Sequence, residues 1–134
     1  MTGKLQIAFL VLTLFACFLS VNAQQNPPRL TYEELISHQQ QYLGKEVRLN
    51  AIWTYGFEWT YLCSDTCKSV PQAWVNVLVD EDKLCPGSSQ RLKKLGHKFD
   101  NKAKVTVRGR LDSGVGGHEF QFTISCVEKF KKIY

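Results

Sequence analysis

The sequence predicts a mainly β domain: a five-stranded Greek-key barrel with a helix before the strands and a short helix between the third and fourth strands. Segments in which apolar and polar residues alternate recur along the chain, which is typical of strands with one buried face. Runs rich in Gly, Pro and Ser separate these segments and predict the turns. An even number of cysteines after the N-terminal leader is typical of a small exported domain held by disulfides.

The first 23 residues predict a secretory signal. Lys4 precedes the apolar run LQIAFLVLTLFACFLS, and Val21-Asn22-Ala23 matches the small-x-small cleavage rule. Cleavage after Ala23 predicts a secreted or periplasmic protein. The formal net charge of +5 then falls by one with the loss of Lys4, so the mature chain is mildly basic.

A second interpretation of the leader makes the protein a lipoprotein. Leu14-Phe15-Ala16-Cys17 resembles a bacterial lipobox, in which the cysteine becomes the lipid-bearing N-terminus, anchored at Cys17. Phe15 and the apolar residues after Cys17 fit that pattern poorly. No segment after the leader is apolar enough to cross a membrane, so we expect no transmembrane span in the mature chain.

Residues 24–30 (QQNPPRL) predict a flexible lead, and residues 31–134 a single domain. Thr31 and Glu34 have the spacing of a capping box and begin a helix that runs to about Tyr42, before Gly44. The strands are predicted at 45–53, from Gly56 to about Cys63, and at 73–80, 104–111 and 118–130. A short helix from Gln90 to Leu95, capped by Ser88 or Ser89, precedes the fourth strand.

This order of elements is typical of the OB-fold, a five-stranded Greek-key barrel. The segments YLGKEVRLNAIWTYGFEW and KVTVRGRLDSGVGGHEFQF resemble small exported bacterial OB-fold domains of unassigned function. The resemblance covers most of Thr31 to Phe130. Its motifs specify a scaffold rather than a chemistry, so it implies no functional residue.

The cysteines Cys63, Cys67, Cys85 and Cys126 remain after the leader. In the OB topology the third and fifth strands run parallel, which places Cys85 near Cys126 and leaves Cys63 to pair with Cys67. Cys126 also shares the inward parity of the apolar residues in the last strand. Pairing of Cys67 with Cys85 is the alternative. Only Cys63 and Cys67 have a close spacing, so we expect no metal site and no cofactor.

Aromatic residues occupy every odd position of WTYGFEWTY, from Trp53 to Tyr61. A loop of odd length near Gly56 keeps them on one face, whereas an even loop sends those after it to the other. Burying Glu58 and Thr60 without partners is costly, and burying aromatic rings is favourable. We therefore expect most of the run in the core, with Tyr55 exposed at the turn.

A candidate ligand surface lies on the outward face of the second and third strands, where OB-folds bind ligands. An exposed tryptophan beside polar groups can stack a base or a sugar ring. The alternative is a tryptophan half-covered by the N-terminal helix. The candidate residues are Arg48, Tyr55, Trp74, Asn76 and His118.

A second candidate is a basic patch, formed by Arg91, Lys93, Lys94, Lys98, Lys102 and Lys104, with lysines 129, 131 and 132 as a basic tail. Such a cluster can meet a polysaccharide, an anionic lipid or a nucleic acid, but a solvated helix face has the same composition.

The sequence contains no recognisable catalytic constellation, so we do not expect an enzyme. The favoured function is an exported binding module for an oligosaccharide or another anionic or ring-bearing ligand. The alternative is a protein-interaction or envelope-structural module without a small ligand. Export makes a nucleic acid a less favoured partner than a glycan or a protein.

Overall fold

The computed structural model describes residues 26–56, 59–65, 67, 71–77, 83–94, 101–114 and 116–133. The leader, its cleavage site and Cys17 lie outside these residues. The described chain is mainly β, with six strands and three short helices. In chain order the elements are β1 (Arg29–Thr31), α1 (Tyr32–Ser37), α2 (Gln39–Tyr42), β2 (Glu46–Tyr55), β3 (Thr60–Cys63), β4 (Ala73–Val77), α3 (Ser88–Lys93), β5 (Asn101–Ser113) and β6 (Phe120–Ile133).

The six strands form one mixed sheet in the order β1-β2-β3-β4-β6-β5, and β2 also pairs with β5. The pairs β2–β3, β3–β4, β5–β6 and β2–β5 are antiparallel. The pairs β1–β2 and β4–β6 are parallel. The parallel pairing of β4 with β6 is the arrangement that the OB topology implies for its third and fifth strands.

The N-terminal segment differs from the prediction in two places. Residues Arg29–Thr31, predicted as the end of a flexible lead and the start of a helix, form β1 beside β2. The predicted helix is divided at His38 into α1 and α2. Its cap is as predicted, because the Thr31 hydroxyl accepts from the Glu34 N–H and the Glu34 carboxylate accepts from the Thr31 N–H.

The core lies between α1 and the inward face of the sheet. Tyr32 and Leu35 of α1 are buried in it together with residues from all six strands. The Tyr32 hydroxyl donates to the carbonyl of Pro71, which ties α1 to the start of β4. Burial raises the pKa of Tyr32. The buried strand residues include Val47, Leu49, Trp53, Leu62, Ala73, Val75, Val105, Val107, Leu111, Phe122, Ile124 and Val127.

The β2–β3 hairpin overturns the prediction that most of the aromatic run is core. Tyr55 pairs with Thr60 and Thr54 with Tyr61, so the loop between the paired ends has four residues, an even number. Residues opposite each other in an antiparallel pair share a face. Trp53 therefore lies inward opposite Leu62, whereas Tyr61 lies outward opposite Thr54. Phe57 and Glu58 lie outside the described residues.

Thr60 shows why an inward polar residue is tolerated in this hairpin. It lies on the inward side, but its hydroxyl is not left without a partner. The indole Nε1–H of Trp53 donates to the Thr60 Oγ1 at 2.7 Å. A buried polar group costs little once it is hydrogen-bonded, so the hairpin can take the even register.

The two disulfides join Cys63 to Cys67 and Cys85 to Cys126, which are the two pairs that the sequence predicts. Their Cα atoms are 4.9 and 5.0 Å apart, respectively. The predicted inward orientation of Cys126 is wrong, because the β5–β6 register shifts between Arg108 and Gly109. The shift places Cys126 opposite Arg108 on the outward face and returns Val127 to the core.

Helix α3 covers Cys126 and differs from the prediction at its cap. Gly87, in the left-handed conformation with φ of 82°, precedes the helix, and no serine side chain caps it. Ser88 is instead fully buried. Its hydroxyl oxygen lies 2.9 Å from the Cys85 sulfur and accepts from the Val127 N–H at 2.9 Å. The Cys85–Cys126 disulfide and the Ser88 hydrogen bond therefore both connect the start of α3 to β6.

Within the described part of the chain, no helix has both the length and the apolar character needed to cross a bilayer. Two disulfides in one small domain are typical of an oxidising, extracellular environment.

Candidate functional site

An aromatic cluster lies on the outward face of β3 and β4, and its members are Trp59, Tyr61, Trp74 and His118. The Trp74 and His118 rings stack with centroids 4.2 Å apart and planes 23° apart. Tyr61 meets Trp74 edge-on at 5.4 Å, and Trp59 stacks on Tyr61 at 6.3 Å. All four side chains are partly exposed, so the cluster combines mutual contact with a surface open to solvent.

Strand register places the first pair of rings together. Tyr61 of β3 lies directly opposite Trp74 of β4. The neighbouring pair, Leu62 of β3 and Ala73 of β4, is buried in the core. Alternation along each strand then turns Tyr61 and Trp74 outward. The strands β3 and β4 therefore contribute to the core with one face and to the aromatic cluster with the other.

The turn between β5 and β6 supplies His118. Gly116 and Gly117 have φ of 65° and 88°, which the backbone of a tight turn requires here and which glycine adopts readily. The N–H of Gly114 donates to the carbonyl of Glu119 and closes the turn. A Cβ on Gly114 would collide with the His118 backbone, so the chain passes close to itself and sets His118 against Trp74.

The hairpin between β2 and β3 supplies Trp59. The Gly56 N–H donates to the Trp59 carbonyl at 2.8 Å. The Trp59 indole lies on Gly56 so closely that a Cβ there would overlap the ring. The Trp59 indole therefore packs on the backbone of Gly56, and its ring also stacks on Tyr61.

The structure brings together three of the five predicted ligand-surface residues. Trp74 and His118 are in the aromatic cluster, and Asn76, two residues after Trp74 on β4, is exposed on the same face. Tyr55 is a correction: two residues after Trp53, it lies on the inward side at the end of β2, half-buried against the core. Burial raises the pKa of Tyr55.

Arg48 is the other residue that lies apart. It stands six residues before Thr54 on β2, about 20 Å along the strand from the row that contains Tyr61. Its Nε donates to Glu128 Oε2 at 2.6 Å, and Arg108 Nε lies 3.0 Å from Glu128 Oε1. Arg48 therefore contributes to an ion-paired group on β2, β5 and β6.

The described members of the predicted basic patch are divided between α3 with its C-cap and β5. Arg91 of α3 donates to the Val127 carbonyl at 3.0 Å and is half-buried, so it serves the packing of α3 on β6. Lys93 and Lys94 are exposed at the end of α3. Lys102 and Lys104 are exposed on β5. Lys98 lies outside the described residues.

The sequence does not predict Tyr61 and Trp59 as surface residues. The signal that points to them is the loop length between β2 and β3, which sets the parity of every residue after Gly56. Sequence alone leaves that length open.

The chemistry of the cluster is that of stacking and hydrogen bonding. Flat aromatic faces bind sugar rings or bases, and the adjacent amide of Asn76 can hydrogen-bond to a ligand. Among the residues that the structure describes, no group of three or more His, Cys, Asp and Glu side chains is placed to hold a metal ion.

Comparison of the chain with models of protein families, with curated proteins and with solved structures returns no match.

Proposed function

We propose that this protein is a secreted binding module, built on an OB-type five-stranded barrel, that holds a ring-bearing ligand such as an oligosaccharide on its aromatic cluster. The single observation that carries the proposal is the stacked Trp74–His118 pair beside Tyr61. This group of rings lies on the outward face of β3 and β4, next to the turn between β5 and β6.

The strand pairings support the barrel. From β2 the pairs run to β3, β4, β6 and β5, and β5 pairs again with β2, so the five strands follow one another in a ring. Helix α3 falls between β4 and β5, where the OB-fold has its helix. In this correspondence β3 and β4 are the second and third strands of the barrel, whose outward face is the usual ligand surface.

Secretion is part of the proposal and rests on the N-terminal leader together with the two disulfides. The lipoprotein anchored at Cys17 remains the alternative form of export. In either form the protein meets extracellular or envelope molecules, which favours a glycan over a nucleic acid as the ring-bearing ligand.

The test is a glycan array with the mature protein, followed by calorimetry on the glycan that binds best. Stacking is worth about 1–3 kcal/mol per ring, so Trp74→Ala should weaken that binding about tenfold or more. Trp74→Phe is the matched control, because it keeps an aromatic face and should retain part of the affinity. Circular dichroism should show both variants folded.

A glycan that binds wild type and Trp74→Ala equally would remove the aromatic cluster from the function. A protein that binds no glycan and captures a defined protein partner through the same face would support the alternative module. Clusters of partly exposed Trp and Tyr are also typical of protein-interaction hot spots.

A further inference from the structure

Four exposed lysines form a second surface, which we name the lysine face: Lys102 and Lys104 of β5, and Lys129 and Lys131 of β6. Their neighbours Ala103 and Val105 are buried in the core, so alternation turns Lys102 and Lys104 outward. Lys131 lies directly opposite Lys104, and Lys129 lies opposite Thr106. Opposed residues share a face, which places all four lysines on one side of the β5–β6 ladder.

Like charges directly opposite each other destabilise a sheet, so the Lys104–Lys131 pair does not stabilise the β5–β6 pairing. No lysine of the lysine face makes an ion pair with another residue in the described part of the chain. The carboxylates on the same strands form ion pairs with arginines: Glu128 with Arg48 and Arg108, and Asp112 with Arg110. Among the described residues, no carboxylate therefore lies at ion-pair distance from the lysine face.

Two acidic residues approach the lysine face at Lys104. Glu33 and Asp65 line a small cavity of about 130 Å³ together with Lys104. Neither carboxylate lies within ion-pair distance of Lys104, and the other three lysines do not line that cavity. The four lysines outnumber these two carboxylates, so the six residues together carry a net positive charge.

The lysine face is continuous with the aromatic cluster. Thr54 of β2 lies opposite Tyr61 on one side and opposite Lys102 on the other. These three residues lie in one row on the outward side of three adjacent strands, and the Thr54 side chain between the other two is itself only 6% exposed. Neighbouring strands are about 4.8 Å apart, so the backbones at Tyr61 and Lys102 are separated by about 10 Å. A chain of a few sugar rings can therefore touch both surfaces at once.

From this continuity we propose that the ligand is an acidic polysaccharide, which stacks sugar rings on the aromatic cluster and lays its anionic groups along the lysine face. The inference rests on the proposed function and names its substrate class. Charge complementarity favours an anionic ligand, and the contiguous aromatic rings favour a polymer of ring-shaped units that can stack on them. The two disulfides are typical of an oxidising, extracellular environment.

The experiment compares two oligosaccharides with the same backbone: oligogalacturonate, which carries a carboxylate on every ring, and its fully methyl-esterified form, which carries none. Wild type should bind the acidic form more tightly, and its affinity should fall as salt rises. Lys104→Gln/Lys131→Gln should weaken acidic binding about tenfold at low salt and leave binding of the ester unchanged. Lys93→Gln/Lys94→Gln removes the same charge from α3 and should change binding less than about twofold.

The outcomes separate this inference from the proposed function. If both forms bind equally, depend on Trp74 and ignore the lysines, the inference is overturned while the proposed function stands. If the two lysine variants weaken binding equally, net charge rather than the lysine face is responsible, and the inference is also overturned. Binding to a single-stranded oligonucleotide or to phosphatidylglycerol vesicles through the lysine face, without binding to oligogalacturonate, overturns it in favour of another polyanion.

Discussion

The inner and outer sides of the β2–β3–β4 region use tryptophan in opposite ways. Trp53, on the inner side, is 3% exposed, and its indole N–H donates to Thr60. Trp74, on the outer side, is partly exposed and stacks on His118. Both residues occupy strands with similar sequence patterns. What separates them is their parity in the strand ladder, so the role of an aromatic residue here depends on register rather than on composition.

The largest expected effect tests this comparison directly. Trp53→Ala should lower the free energy of unfolding by about 3–5 kcal/mol, because it leaves a cavity in the core and removes the hydrogen-bond donor of the Thr60 hydroxyl. Trp74→Ala should lower it by about 1 kcal/mol or less. Urea denaturation of both variants measures the difference. Equal losses would mean that Trp74 is also structural and that the two sides do not differ.

The Cys85–Cys126 disulfide extends this comparison of the two sides of the sheet. A residue on the outward side still contributes to stability where another element covers it. Cys126 faces outward but is only 3% exposed, beneath α3 and beside Ser88. Replacing Cys85 and Cys126 by Ala should cost up to about 4 kcal/mol in the chain-entropy treatment of their 41-residue separation.

The matched control is the double replacement of Cys63 and Cys67 by Ala. Their separation is four residues, so the same treatment gives about 2 kcal/mol. Thermal unfolding under non-reducing conditions compares the two double variants. A larger loss from the Cys63–Cys67 pair would contradict the idea that the Cys85–Cys126 bond fastens α3 to β6.

The smallest expected effect lies away from both sides, at the start of α1. The bonds from the Thr31 N–H and hydroxyl hold the pKa of Glu34 below its ordinary value. A lowered pKa means that the stabilisation is present above the ordinary value of 4.5 and is lost as the pH falls through the folded-state pKa. The stability difference between wild type and Glu34→Gln should therefore shrink below pH 4.5.

Thr31→Ala removes the cap itself and should cost about 1 kcal/mol at neutral pH. Chemical denaturation at about pH 7 and again at about pH 3, on either side of the ordinary carboxyl pKa, measures both variants. A Glu34→Gln difference that does not change with pH would show that the Glu34 charge plays no part in the cap.

The sequence is enough to predict the capping box, the β4 and β5 patterns and both disulfides. The capping box depends on residues three apart, and each strand pattern depends on alternation within a few residues. The disulfide pairing depends on topology, and the parallel pairing of β4 with β6 brings the two long-range cysteines together. These features are insensitive to small shifts of register.

The features that sequence cannot predict all depend on register or packing between distant segments. The even loop after Gly56 turns Tyr61 outward, and the shift in β5–β6 pairing near Gly109 turns Cys126 outward. Gly109 permits this close approach, because a Cβ there would collide with the Thr123 backbone. The break at His38 and the strand β1 depend on packing that no local pattern encodes. Trp74, Asn76 and His118 can be identified as surface residues from the sequence. The alternation within β4 fixes the side on which Trp74 and Asn76 lie, and His118 lies in the turn between β5 and β6.

The short strand β1 covers part of an edge of β2 that would otherwise be open. On one edge of β2, β5 pairs with every residue from Glu46 to Tyr55, whereas on the other edge β3 reaches only Ile52 to Tyr55. β1 fills the remaining edge through its parallel pairing, and the Arg48 N–H donates to the Pro28 carbonyl just before it. An open strand edge is a template for pairing with another chain. The segment predicted as a flexible lead therefore protects this edge of β2. A chain that begins after Thr31 would leave about half of that edge open to pairing with another molecule.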